Sequence, residues 1–355
     1  TDYALFVVLK DMNHNMPWYE WPKPMRDRNP DTLSQLSKKY ADILELFKWQ
    51  QFLIHKTWKN IVHAAHDRNI HLFGDMPIFV AHDSADVWAH PGLFMLDKDG
   101  QPEWVAGVPP DYFSDTGQRW GNPQFNWQAM LETGFSWWME RLKHHFQWFD
   151  LVRIDHFRGL EAVWMIDAKC DTAVDGYWDQ TPGDQLLQLL QDEMGMIPLV
   201  AEDLGVITPE VTRLRNKYKL PGMAVLQFAF DAFDDNPHKP VNITADRVVY
   251  SGTHDNNTTV GWFSSLRPNE QQFVRETLGI DAGKDIVDAL MESAMNSDAM
   301  LSMFPLQDIL KLGEEARMNV PGDAGDHWRW KFSWDQITPE ISEKLKEMTT
   351  HANRC

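Results

Sequence analysis

The sequence predicts an α/β fold in which parallel strands alternate with helices. One observation behind this prediction is that segments with apolar residues every three or four positions repeatedly lead into short, β-rich segments. A second is that the β-rich segments are separated by tens of residues, as parallel βαβ units require. The predicted strands lie at residues 70–80, 150–155, 197–202, 223–230, 247–253 and 298–306.

Helices are predicted in the intervals between these strands. Thr208 and Pro209 suit the N-cap and first positions of one helix, because threonine can accept an orphan backbone N–H and proline has no N–H to satisfy. Apolar periodicity predicts the other helical segments, which lie at residues 31–69, 135–149, 184–194, 269–278 and 284–296.

Acidic residues at the ends of predicted strands favour a barrel over a doubly wound sheet. Asp75, Asp155, Glu202 and Asp255 each end a strand, and neither GxGxxG nor GxxxxGK[ST] occurs. In a barrel the carboxyl ends of all strands converge on one mouth. Six strands are too few to close one. The sequence therefore predicts a (β/α)8 TIM barrel whose first two strands precede position 1, with a helical insertion at about 10–69 and an active-site loop insertion at about 81–129.

Residues 105–123 are predicted to be irregular. They contain three glycines and three prolines and show a period of neither 2 nor 3.6 residues. Phe113 and Trp120 in this segment are expected to form a mobile lid over a bound chain, because large aromatics in an irregular loop need an apolar surface to cover. The alternative is that both rings belong to the core.

Charge and cysteine content exclude several classes of protein. The 33 Lys and Arg against 52 Asp and Glu give a net charge of −19, which disfavours nucleic acids and anionic membranes as partners. Cys170 and Cys355 cannot build a disulfide framework or a zinc site of CxxC type. No apolar run reaches the about 18 residues of a membrane span, and no signal peptide is recognisable. A reducing, cytoplasmic setting is predicted.

Three strand-end carboxylates suit glycoside chemistry. Asp155, Glu202 and Asp255 could supply a nucleophile, a proton donor and a group that holds sugar hydroxyls, and Arg153 lies on the same strand face as Asp155. The 17 tryptophans agree with a sugar ligand, since indole packs on pyranose faces. Each acid alone could equally be a turn former or a helix cap. Residues 82–86 and 254–257 could bind metal, but they lack tetrahedral or EF-hand spacing, so no metal and no cofactor is predicted.

Five long segments, in order, resemble those of amylomaltase, the 4-α-glucanotransferase or disproportionating-enzyme family. They are residues 74–88 (GDMPIFVAHDSADVW), 105–123 (VAGVPPDYFSDTGQRWGNP), 152–159 (VRIDHFRG), 200–205 (VAEDLG) and 251–258 (SGTHDNNT). The resemblance implies a retaining enzyme that moves segments of α-1,4-glucan between maltooligosaccharides, with no cofactor.

The resemblance also implies roles for individual residues. Asp155 corresponds to the nucleophile, Glu202 to the general acid/base and Asp255 to the transition-state stabiliser. Sugar-contacting or nucleophile-supporting positions are Asp75, Arg153, His156 and His254; the loop over the donor chain carries Asp111, Phe113, Gln118 and Trp120; and Asp231 matches an acceptor-side acid.

The chain departs from the family pattern in two places. The family's N-terminal portion is absent, and Asp326-His327 stands where a Gly-Asn pair is expected. Two alternatives to glucan transfer stay open. One is an amylase-type α-glucan hydrolase that uses the same acids, and the other is a truncated, non-catalytic glucan-binding fragment.

Overall fold

A computed structural model of the chain describes residues 1–111, 114–323 and 325–354. The chain divides into two compact units, Thr1–Tyr218 and Lys219–Cys355. In chain order the strands are β1 (Phe73–Met76), β2 (Trp104–Val108), β3 (Gln118–Pro123), β4 (Leu151–Ile154), β5 (Ala162–Asp167), β6 (Gly176–Gln180), β7 (Leu199–Ala201), β8 (Gly222–Val225), β9 (Arg247–Tyr250) and β10 (Leu301–Met303).

Helices occupy most of the intervals between the strands. No helix among the described residues combines the length and the apolar character that crossing a bilayer requires. The α-helices are α1 (Asp2–Met12), α2 (Lys23–Arg26), α3 (Pro30–Lys39), α4 (Ala41–His66), α5 (Ala85–Ala89), α6 (Trp127–Glu132), α7 (Ser136–Phe146), α8 (Gly183–Met194), α9 (Pro209–Lys217), α10 (Thr259–Ser265), α11 (Pro268–Leu278), α12 (Ile286–Met295), α13 (Leu306–Ile309) and α14 (Pro339–His351).

The first unit contains a parallel sheet in the order β1-β4-β7. Asp75 pairs with Arg153, and Ile154 pairs with Ala201, so the carboxyl ends of all three strands lie at one edge. β7 is apolar and fully buried, and β4 is buried from Val152 to Ile154, as expected of strands covered by helices. Three predicted strands are thereby confirmed.

The second unit contains the other parallel sheet, in the order β10-β9-β8. β8 is buried throughout, and Ala224 and Val249 pack with Leu290 of α12 in a common core. The remaining three predicted strands are thus confirmed, although all six are shorter than predicted. Within the described residues the six parallel strands hydrogen-bond as two three-stranded sheets, one in each unit.

An antiparallel sheet in the order β3-β2-β5-β6 was not predicted. The prediction that residues 105–123 are irregular is wrong, because β2 and β3 lie there and Val105 is buried. The pairing of β2 with β3 shifts register between Val105 and Gly107. This shift interrupts the alternation of side chains by which a strand is recognised in a sequence. A Cβ on Gly107 would lie 2.2 Å from the Gln118 carbonyl oxygen, so the glycine permits the close pairing instead of breaking it.

The helix predictions hold, with one qualification. Residues 31–69 form α3 and α4, and Thr208 and Pro209 occupy the N-cap and the first turn of α9. However, Leu44 is the one buried residue of α4, and most of the other apolar side chains of the helix are exposed. The most exposed are Ile43, Leu46, Trp49, Phe52 and Ile54.

Candidate active site

The carboxyl edge of the β1-β4-β7 sheet gathers four of the predicted site residues. Asp75 lies in β1, Arg153 in β4, Asp155 directly after β4, and Glu202 directly after β7. Because the three parallel strands pair side by side, residues widely separated in sequence meet at this edge. The pairing of the strands therefore brings together the predicted nucleophile Asp155, the predicted acid/base Glu202 and Arg153.

Arg153 joins two carboxylates. Its Nη1 lies 2.8 and 2.7 Å from the two carboxylate oxygens of Asp75, and its Nη2 lies 2.7 Å from Oδ1 of Asp155. Its side chain is 9% exposed, whereas both carboxylates are more than 40% exposed. Burial alone would lower the pKa of Arg153, but Asp155, Asp75 and Glu202 raise it above its ordinary value. A permanently charged guanidinium orients Asp155 and favours its ionised form.

Glu202 has the opposite electrostatic character. Burial and the neighbouring Asp155 raise the pKa of Glu202 from 4.5 to about 7, although Arg153 and two backbone N–H groups act against the rise. These groups belong to Leu204, which donates to Oε1 at 3.0 Å, and His156, which donates to Oε2 at 2.7 Å. Near neutral pH a substantial share of Glu202 is protonated and able to donate a proton.

His156 connects the two acids structurally. Its backbone has a φ of 49°, a left-handed conformation that is uncommon for a residue other than glycine, and this turn directs its N–H to Glu202. Burial, followed by the charge of Arg158, lowers the pKa of the imidazole to about 4. The ring is therefore neutral at physiological pH and can offer a hydrogen bond without adding a charge.

Trp120 and Gln118 bring the antiparallel sheet to this site. The indole of Trp120 meets the His156 ring edge-on at 4.9 Å between centroids, and its Nε1–H donates to Gln118 Oε1 at 3.2 Å. Trp120 is 38% exposed, so it is not a core residue. Asp111 accepts the Ser114 N–H at 3.0 Å, and Phe113 lies outside the described residues.

Asp255 lies in the second unit, beyond the end of β9, in a dense set of contacts. Asn319 Nδ2 donates to its Oδ1 at 2.7 Å, and Arg317 donates to its backbone carbonyl at 3.0 Å. His254 Nε2 lies 3.3 Å from Oδ2, and the His254 ring packs on Trp328 at 5.0 Å. Sequence reasoning gave Asn319 and Arg317 no role, since their link to Asp255 spans more than 60 residues.

Asp231, the predicted acceptor-side acid, is engaged within its own loop. Its Oδ2 accepts a hydrogen bond from Asn236 Nδ2 at 2.9 Å, and Lys239 Nζ lies 3.7 Å from Oδ1. The carboxylate is 40% exposed, so a ligand can reach it. The structure therefore gives Asp231 a fixed orientation at the surface of the second unit.

The two segments considered for metal binding have other contacts. His82 Nε2 lies 2.7 Å from the Gly100 carbonyl oxygen, and its ring stacks on Tyr19, while Asp83 pairs with Lys10 of α1. In the second segment, His254 contacts Asp255. In the part of the chain that the structure describes, neither segment contributes to a group of three close metal-ligating side chains.

Comparison with known proteins identifies the family of the chain. The family model described as 4-alpha-glucanotransferase matches residues 1–337. The chain is 47% identical to the 4-alpha-glucanotransferase of Thermus thermophilus, over 99% of this chain and 72% of that protein. It is 43% identical to the chloroplastic/amyloplastic 4-alpha-glucanotransferase DPE1 of Oryza sativa subsp. japonica, over 99% of this chain and 60% of that protein.

Solved structures give the same result. An amylomaltase from Streptococcus agalactiae, determined in complex with acarbose, superimposes with a TM-score of 0.96 at 34% identity, over 99% of this chain and 72% of that one. An amylomaltase from Corynebacterium glutamicum, at 16% identity and a TM-score of 0.74, shares the mixed α/β fold. The resemblance inferred from the five motifs is confirmed, and the chain belongs to the 4-alpha-glucanotransferase family.

Proposed function

We propose that this chain transfers segments of α-1,4-glucan by retaining double displacement, with Asp155 as the nucleophile and Glu202 as the general acid/base. The observation that carries the proposal is the contrast between the two acids at one sheet edge. Arg153 favours the ionised carboxylate of Asp155, while burial and the charge of Asp155 keep a substantial share of Glu202 protonated near neutral pH. Such a contrast is what assigns nucleophile and proton donor in a carboxylate pair.

In the first step, the ionised carboxylate of Asp155 attacks the anomeric carbon of the donor. The glycosidic bond breaks, and its oxygen takes the proton of Glu202 as the leaving sugar departs. In the second step, Glu202 removes the proton of an acceptor 4-hydroxyl, whose oxygen displaces Asp155. Formation of the ester removes the charge on Asp155 that raises the pKa of Glu202, while the charge of Arg153, which lowers it, remains. Glu202 is therefore better able to ionise when it must act as a base.

We propose that Asp255 stabilises the transition state. Its carboxylate would accept hydrogen bonds from sugar hydroxyls as positive charge develops at the anomeric carbon. The contacts from Asn319 and Arg317 support this role, because a stabilising carboxylate must be oriented before the transition state forms. We assign sugar contacts to Asp75, His156, His254 and, on the acceptor side, Asp231.

We infer a lid function for the segment that contains Asp111, Phe113, Gln118 and Trp120. Its support is the half-exposed indole of Trp120, fixed against His156 next to the nucleophile. A flat apolar face in that place suits a pyranose ring and shields the glycosyl ester from water. Shielding favours transfer over hydrolysis.

We also propose that residues 1–355 form the C-terminal portion of a catalytic (β/α)8 barrel, with insertions at about 10–69 and 81–129. Alternation of helices and parallel strands supports this, as does the superposition on the amylomaltase of S. agalactiae. The first two strands would come from the family's N-terminal portion.

Maltooligosaccharides and related α-1,4-glucans are the proposed substrates, and the acarbose complex of the S. agalactiae amylomaltase is consistent with them. The free Cys170 and the acidic composition are consistent with a cytoplasmic location.

Incubation with pure maltotriose tests the activity. We expect glucose together with maltopentaose and longer oligomers, because a maltosyl unit retained on Asp155 passes to another sugar. Glucose and maltose without longer products would show hydrolysis. No products, but a higher melting temperature with maltoheptaose, would show that the chain binds glucan without catalysis.

A further inference from the structure

Two histidines and an aspartate meet at the edge of the β1-β4-β7 sheet opposite the catalytic acids. His66 is the last residue of α4, His71 lies two residues before β1, and Asp150 directly precedes β4. One ligand atom from each lies within 4.8 Å of the other two. The run of β4 separates Asp150 from Asp155 by about 16 Å, at about 3.3 Å per residue, so this cluster is distinct from the active site.

The distances in the cluster suit a tetrahedral cation. His66 Nε2 lies 2.9 and 3.0 Å from the two carboxylate oxygens of Asp150, and His71 Nδ1 lies 3.8 Å from Oδ2. Zinc bonds of about 2.1 Å at a tetrahedral angle place neighbouring ligand atoms about 3.4 Å apart. The separations from Asp150 lie on either side of that value, and all three ligand atoms lie within 4.8 Å of one another, so side-chain rotations would complete the geometry.

Hydrogen bonds fix the Asp150 carboxylate and the backbone that carries the two histidines. The Leu72 N–H donates to Asp150 Oδ2 at 2.8 Å, and the Asp150 N–H donates to the Leu72 carbonyl at the same distance. The turn from α4 towards β1 is closed by backbone hydrogen bonds from Asn69 to His66 and from Ile70 to Ala65, both of 2.9 Å. Because the Asp150 carboxylate and the turn are already ordered, metal binding has mainly the His71 side chain left to order.

Charge and exposure both permit entry of a cation. The side chains of His66, His71 and Asp150 are 42%, 77% and 28% exposed, and the chain carries a net charge of −19. Two imidazoles with one carboxylate form a ligand set typical of Zn²⁺, with a fourth position open to water. An ordinary ion pair between His66 and Asp150 accounts for their own contact, but it does not require His71 within reach.

We infer that His66, His71 and Asp150 form a surface Zn²⁺ site that fastens the end of α4 to the amino edge of the parallel sheet. Zn²⁺ takes the place of the proton that joins His66 to Asp150, and His71 becomes the third ligand. Binding to the folded chain stabilises it by mass action and does not enter the glucan reaction.

Calorimetric titration of the untagged full chain with ZnCl₂ at pH 7.5, in a buffer that does not bind metal, tests the inference. We expect one saturable equivalent. His71→Ala and His66→Ala should each weaken binding by about tenfold or more, the scale of losses seen when a metal's surroundings are altered. His63→Ala is the matched control, since His63 is exposed on α4 one turn earlier and is outside the cluster.

Thermal unfolding provides a second measurement. Saturating ZnCl₂ should raise the melting temperature of the unaltered chain and of His63→Ala but not that of His71→Ala. Because the His71 side chain is largely exposed, its removal should leave the metal-free melting temperature unchanged. Absence of saturable binding, or equal losses in His71→Ala and His63→Ala, would overturn the assignment.

Discussion

Replacement of Glu202 by glutamine should change how stability and activity depend on pH. In an unfolded chain a glutamate ionises near 4.5, whereas folding raises the pKa of Glu202 to about 7. Between these values the folded state holds a proton that the unfolded state has lost, so the stability gained at low pH declines as pH rises towards 7. At about 1.36 kcal/mol per pH unit the full interval corresponds to at most about 3 kcal/mol.

The assay is urea unfolding of the unaltered chain, Glu202→Gln and Glu140→Gln at several values between pH 4.5 and 8. Glu140 is exposed on α7, so its glutamine variant is the matched control. The stability of Glu202→Gln relative to the unaltered chain should increase by up to about 3 kcal/mol as pH rises and then level off above about 7. The control should follow the unaltered chain throughout.

The carboxyl group of Glu202 should also determine how activity depends on pH. With maltotriose, kcat/KM of the unaltered chain should fall about tenfold per unit well above pH 7, as the protonated form of Glu202 is lost. Difference infrared spectra would show the protonated carboxyl directly, since its C=O stretch is absent from Glu202→Gln. A stability difference independent of pH, or a carboxyl that titrates near 4.5, would refute the account of burial and Asp155 as the causes.

Four further substitutions address the remaining roles. Asp155→Ala and Glu202→Ala should each lower transfer by several orders of magnitude, and azide with an activated donor should rescue only Glu202→Ala; rescue of Asp155→Ala would reverse the two assignments. Trp120→Ala should cost about 1 kcal/mol or less in urea unfolding while raising the ratio of hydrolysis to transfer, whereas a loss of about 3 to 5 kcal/mol with an unchanged ratio would place the indole in the core. Asn319→Ala should lower kcat with maltotriose about tenfold, corresponding to about 1.5 kcal/mol for a lost hydrogen bond to a carboxylate; an unchanged kcat would remove Asn319 from the orientation of Asp255.

Local information in the sequence was sufficient for several features. All six parallel strands and the longer helices between them, α3, α4, α7, α8, α9, α11 and α12, follow from local patterns, because each pattern depends on residues a few positions apart. The acids at the strand ends could be identified because each lies within or directly after a segment that the local pattern predicts to be a strand. The five long motifs indicated the 4-alpha-glucanotransferase family, and the comparisons confirm it.

Other features depend on contacts between distant parts of the chain. β2 pairs with β5 about 60 residues later, and the register shift at Gly107 removes the alternation that could have indicated a strand. α4 shows why a pattern does not determine burial: its spacing predicts a helix, yet most of its apolar side chains are exposed.

The chemistry of the site was also decided by tertiary structure. Sequence suggested Arg153 as a partner of Asp155 two residues away, but only the pairing of β1 with β4 shows that the same guanidinium holds Asp75. Likewise, sequence named Glu202 as an acid, while its raised pKa comes from burial and from Asp155 on the neighbouring strand. The sequence determines which residue carries a carboxyl group, but the proton affinity of that group is set by the charges and the solvent that the fold places around it.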